Sequence, residues 1–104
     1  MRDVTDADFE QAVLGAAGPV VVDFWAPWCG PCTRVTQVLE ALESEHSGVE
    51  FVKLDIDESP RAAARFGILS IPTAILFEDG EPKETVIGAR PRSFYEQAWA
   101  SWLT

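Results

Sequence analysis

Along the chain, short runs that are apolar on both sides of the backbone are interleaved with longer stretches in which apolar residues recur at every third or fourth position. Val20–Trp25 is β-branched and aromatic without alternation, as expected of a central strand covered on both faces, yet Asp23 stands inside it. After Cys32, the residues Val35, Val38, Leu39 and Leu42 keep helical spacing until Ser47 and Gly48 stop it, so a helix is predicted over 30–46. Before the first strand, Thr5 followed by Asp8 is a carboxylate variant of the capping box. It opens a helix that buries Phe9, Val13 and Leu14 and ends at Gly15 and Gly18.

The pattern then repeats. Residues 49–56 form a second strand, Pro60 opens a short alanine-rich helix ending near Phe66 and Gly67, and residues 73–77 form a third strand. Asp79-Gly80 is a turn signal, and residues 84–87 can fold back as a hairpin partner. Pro91 begins a last helix with Tyr95, Ala98, Trp99 and Leu103 on one face, and with Phe94 and Trp102 off that face and partly covered. Two strands joined by one long helix make a parallel pair through a right-handed crossover, and the hairpin makes the sheet mixed. The fold class is α/β, a central mixed sheet of four to five strands flanked by four helices.

Size and charge narrow the function. The 104 residues suffice for one compact domain, 1–104, with one site. Eight Lys and Arg against seventeen Asp and Glu give a net charge of −9, with no basic run, which disfavours nucleic acid and anionic lipid surfaces. No basic start leads into an apolar run at the N-terminus, and no apolar stretch is long enough to span a bilayer. A soluble, cytoplasmic monomer is expected.

Both cysteines lie in Trp28-Cys29-Gly30-Pro31-Cys32, too close to close a stabilising loop. A CxxC pair can serve as half a zinc site, as two small buried residues, or as a redox dithiol. The second half of a zinc site is missing, since His46 is the chain's one histidine, so no metal is expected. Dithiol exchange needs one thiolate to attack a disulfide and a second thiol close by to displace the product. Placed between strand and helix, Cys29 falls at the helix N-terminus, where free N–H groups and the macrodipole stabilise a thiolate by about 0.3–1 kcal/mol. Cys32, a turn further in, is the resolving thiol. Pro31 suits the first turn, where its missing N–H costs nothing, and Gly30 lets a substrate backbone approach.

The segment from Val22 to Cys32 resembles the active-site segment of the thioredoxin family, and the similarity continues through Lys53-Leu54-Asp55-Ile56-Asp57, Phe66-Gly67-Ile68, Ile71-Pro72-Thr73, Gly80 and Gly88. The resemblance implies the thioredoxin fold, reduction of protein disulfides, and recharging by an NADPH-dependent flavoprotein reductase. The chain itself has no Gly-rich strand-to-helix turn for a nucleotide, so no cofactor is expected. By the same resemblance Asp23 lies beneath the cysteines as general base toward Cys32, with Lys53 nearby. Burial would raise such a carboxyl. On residues alone, Asp23 could instead turn to solvent at a strand edge, and Lys53 could be a surface lysine.

The resemblance also implies a cis Ile71-Pro72 bond opposite the cysteines, where extended substrate pairs with backbone, although for an isolated X-Pro bond trans is the default. Trp25 and Trp28, three apart, need not face the same way: Trp25 is expected in the core and Trp28 beside Cys29 on the docking surface, although core packing would explain either. Gly88 joins that surface by resemblance, and could equally end the last strand. Two positions depart from the family pattern: Gln37 stands where a helix-kinking proline is common, and Thr33 where lysine is common. An oxidase or isomerase of the same fold, which usually carries histidine between the cysteines, and a binding module without turnover are the rival readings.

Overall fold

The computed structural model describes residues 1–103. Its elements in chain order are β1 (Arg2–Asp3), a single helical turn (Glu10–Leu14), β2 (Val20–Trp25), α1 (Gly30–Glu45), β3 (Glu50–Asp55), α2 (Pro60–Arg65), β4 (Thr73–Glu78), β5 (Glu81–Ile87) and α3 (Arg92–Ala98). The sheet runs β1-β3-β2-β4-β5. The β1–β3 and β2–β3 pairs are parallel and the β2–β4 and β4–β5 pairs antiparallel, giving the expected mixed sheet with five strands.

The central place of β2 explains its composition. Successive side chains point to opposite faces. Val20, Val22 and Phe24 pack with Val4, Phe9, Val13 and Phe77 on one face, while Val21 packs with Val35, Leu39, Leu42, Tyr95 and Trp99 on the other. Asp23, two residues from Val21, therefore points to the α1 side, and that side chain is wholly buried rather than turned to solvent. The predicted helix α1 runs unbroken past Gln37, and His46 closes it by donating its N–H to Leu42 O at 3.0 Å.

Several boundaries differ from the sequence pattern; α3, for one, ends at Ala98 with Trp99 as its C-cap, short of the predicted helical face through Leu103. The Thr5 N–H does donate to Asp8 Oδ1 at 2.6 Å, but regular helix begins only after Phe9 and is wide, with the Gly15 N–H donating to Glu10 O at 2.8 Å. The chain before it is held elsewhere: Asp6 Oδ1 and Oδ2 accept the N–H groups of Ala62 at 2.8 Å and Arg61 at 2.9 Å, capping α2 from across the fold. β3 begins at Glu50, one residue after Val49. β5 starts at Glu81, earlier than expected, because on this edge strand only Val86 is buried and no apolar alternation marks it. The turn between β4 and β5 is as predicted, with Asp79 (φ 55°) and Gly80 (φ 77°) both left-handed, as a two-residue hairpin loop of this kind requires. Among the described residues, no helix is long and apolar enough to cross a membrane.

Candidate active site

The end of β2 delivers the chain to the cysteines. The Cys29 N–H donates to Ala26 O at 3.1 Å, and Cys29, with extended backbone (φ −91°, ψ 102°), is the N-cap of α1. Pro31 lies in the first turn, and among the described residues no side chain caps the helix, so its first N–H groups are left without a capping partner at the Cys29 end. Cys29 and Cys32 are joined as a disulfide, with Cα atoms 5.4 Å apart. Both cysteines are buried, but Cys29, 8% exposed, is less covered than Cys32 at 2%. A Cβ on Gly30 would meet nothing within 4 Å, which means packing does not demand glycine there.

Beneath the pair, the Asp23 carboxyl has two unlike oxygens. Oδ2 accepts from the Thr36 hydroxyl at 2.6 Å, while Oδ1 is buried without a partner. Burial, with a smaller push from Glu40, outweighs the pull of the Thr36 hydrogen bond and the Lys53 charge and raises the carboxyl from its ordinary 3.8 to about 6. Lys53 is opposite Asp23 in the β2–β3 register. Its ammonium makes no ion pair with Asp23 among the described residues. It sits 5.3 Å from the Trp25 ring centroid and 4.0 Å from Asp3 Oδ1, so its influence on Asp23 is through space. A cleft of about 290 Å³ beside the cysteines is lined by Trp25, Cys29, Cys32, Thr36, Glu40 and Lys53.

On the other side, Ile71 packs against the cluster of Ala26, Cys29 and Cys32. The Ile71-Pro72 bond is cis, as the resemblance implied and the isolated residues did not. The Gly88 N–H donates to Pro72 O at 2.8 Å, Gly88 is left-handed (φ 88°), and Tyr95 Oη donates to Gly88 O at 3.2 Å. Three segments distant in sequence thus meet beside the disulfide. Trp28 is 67% exposed, with its Nε1–H donating to Asp57 Oδ2 at 2.9 Å, and it lines a shallow apolar groove with Ile56, Ile68, Leu69 and Ile71.

Every residue singled out in the sequence falls in or beside this region, though Gly30 and Pro31 lie on its exposed rim and Lys53 reaches Asp23 only at a distance. Thr36, Glu40, Asp57 and Leu69 were missed. Thr36 had a usable signal, since it follows Cys32 by one helical turn and shares its face. Asp57 and the 98% exposed Leu69 had none.

The arrangement holds a redox-active sulfur pair beside an apolar groove, with a perturbed carboxyl bonded to Thr36 of the adjoining cleft, which suits dithiol/disulfide exchange. The thioredoxin family model matches residues 1–100. A thioredoxin of Porphyra purpurea is 47% identical over 105 residues, covering 100% of this chain and 98% of that protein. Thioredoxin 1 of Synechococcus elongatus is 50% identical over 91 residues, covering 86% and 85%. A chloroplastic M-type thioredoxin of Spinacia oleracea is 47% identical over 105 residues, covering 100% of this chain and 58% of that one. Kinship along the chain and a sulfur pair at the strand-to-helix junction lead to one assignment: the chain belongs to the thioredoxin family and is a thiol-disulfide oxidoreductase.

Proposed function

We propose that the chain, acting as one domain, is a protein-disulfide reductase in which Cys29 attacks and Cys32 resolves. The observation that carries the reading is the asymmetry of the two sulfurs: Cys29 is the more exposed and sits at the helix N-cap, while Cys32 is covered and belongs to the first turn. In the dithiol form, the Cys29 thiolate attacks one sulfur of a substrate disulfide, and the other substrate sulfur leaves as thiolate. Cys32 then gives its proton to the Asp23 carboxylate and attacks the Cys29 sulfur, releasing the second substrate thiolate. Two electrons pass to the substrate and the Cys29–Cys32 disulfide remains. Lys53, opposite Asp23, keeps the carboxylate from being protonated at still higher pH.

Trp28, Gly30, Pro31, Ile71, Pro72 and Gly88 form the substrate-binding surface in this reading. An extended substrate stretch pairs with backbone near Ile71, which reads chain shape more than sequence. The disulfide is recharged by an NADPH-dependent flavoprotein reductase, and the protein works as a cytoplasmic monomer. Insulin reduction driven by dithiothreitol tests the core of this: the native chain accelerates precipitation of the insulin B chain, and Cys29→Ser and Cys32→Ser do not. A native chain no faster than a variant carrying both Cys29→Ser and Cys32→Ser overturns the reductase reading.

A further inference from the structure

We propose that Thr36 is a positioning residue for the resolving step, fixing one oxygen of Asp23 so that the other is left to take the Cys32 proton. The inference rests on the reading of Asp23 as the base for Cys32.

Threonine inside a helix is a mediocre helix former, and its hydroxyl ordinarily bonds back to the carbonyl one turn earlier. Here that carbonyl would be Cys32 O, yet the Thr36 hydroxyl instead crosses to Asp23 Oδ2 at 2.6 Å. A hydroxyl has one proton to donate, so this bond commits it. Asp23 is wholly buried, its other oxygen Oδ1 is unpartnered, and Thr36 and Cys32 line the same cleft. The carboxylate therefore presents one satisfied oxygen and one bare, more basic oxygen, on the side of the sheet where Cys32 lies.

The charged and titratable groups that bear on Asp23 come from three directions: Glu40 from α1, Lys53 from β3 and Tyr95 from α3, while its β4 neighbour is Ala74. None of these donates a hydrogen bond to it; Thr36 does. Without that bond the carboxyl can turn about its terminal torsion, which is soft, and burial acts on it with less opposition. It would then hold its proton to higher pH, and less of it would be present as the carboxylate that can take the Cys32 proton below neutral pH. A hydrogen bond to an ionised group is stronger than one to the neutral form, so losing it should raise the Asp23 midpoint by about one pH unit.

The test uses the intact protein and its Thr36→Val, Thr36→Ser and Asp23→Asn forms. In the disulfide form, the ¹³C shift of the Asp23 carboxyl is followed with pH. In the dithiol form, reaction with Ellman's reagent releases one thionitrobenzoate on attack by the first cysteine and a second when the other cysteine resolves the adduct. Thr36→Val is expected to raise the Asp23 midpoint by about one unit and to slow the second release severalfold below neutral pH, with the first release unchanged. Thr36→Ser, which keeps the hydroxyl, is expected to match the native protein in both. If Thr36→Val matches the native midpoint and rate while Asp23→Asn is slow, or if Thr36→Ser behaves like Thr36→Val, the inference about Thr36 is overturned and the base reading stands. If Asp23→Asn releases the second thionitrobenzoate at the native rate and pH profile, the base reading fails and takes the inference with it.

Discussion

Replacing Asp23 by Asn should make the protein more stable at neutral pH, by an amount that depends on pH in a defined way. The folded carboxyl is raised from 3.8 to about 6 because burial disfavours its charge. The folded state therefore binds a proton that the unfolded chain has already lost, and stability falls as pH rises between those two values. Below both values the group costs nothing; above both the penalty is full and constant. At 1.36 kcal/mol per pKa unit the interval corresponds to about 3 kcal/mol. Asn carries no charge to desolvate and can accept from Thr36 as Oδ2 does. Its own packing effects do not vary with pH, so the difference between the two proteins isolates the carboxyl. Glu45, held low by its hydrogen bond from Arg92, changes stability in the opposite sense but equally in both proteins. Urea unfolding of the disulfide forms, followed by fluorescence of the four tryptophans, gives the two curves. The advantage of Asp23→Asn is expected to grow by roughly 2.4 kcal/mol from pH 4 to pH 7 and then level off, the rest of the ~3 kcal/mol interval falling mostly below pH 4. Parallel curves over that range, or an advantage that shrinks with rising pH, refute the argument that burial controls this carboxyl.

Other changes separate the site from its scaffold. Asp6→Ala removes the two hydrogen bonds that cap α2 and should cost about 1 kcal/mol in urea unfolding while leaving insulin reduction near the native rate. Trp28→Ala removes a 67% exposed side chain and should change stability by no more than about 0.5 kcal/mol, but raise the KM for protein disulfides, measured by insulin reduction at varied substrate. Leu39→Ala empties a wholly buried position between α1 and the sheet and should cost about 2–5 kcal/mol by the same unfolding assay.

Much of this was legible from residue order because the informative patterns are local. Val20–Trp25 had to be a covered strand, and the spacing of Val35, Val38, Leu39 and Leu42 had to be a helix, so the CxxC fell at their junction without any further information. Asp79-Gly80 likewise specified its turn through the left-handed backbone it tolerates. What escaped was set by distance in sequence. Asp6 capping α2, Trp28 bonding Asp57 and Gly88 bonding Pro72 join residues that no local pattern relates. The start of β5 was hidden because an exposed edge strand needs no apolar alternation. The cis Ile71-Pro72 bond came from resemblance alone, since nothing in the flanking residues favours it over trans. Thr36 was overlooked although its spacing from Cys32 was in view, because a threonine in a helix is unremarkable until the strand beside it is known to carry a buried acid.

The claim on which the rest depends is that Cys29 is the attacking sulfur. It is tested most directly by exposing the reduced Cys32→Ser and Cys29→Ser proteins to a disulfide-linked peptide and measuring intact mass and the site of the adduct. The expected result is a stable mixed disulfide on Cys29 in the Cys32→Ser protein and little or none on Cys32 in the Cys29→Ser protein. Equal trapping on both, or trapping on Cys32 alone, would contradict it.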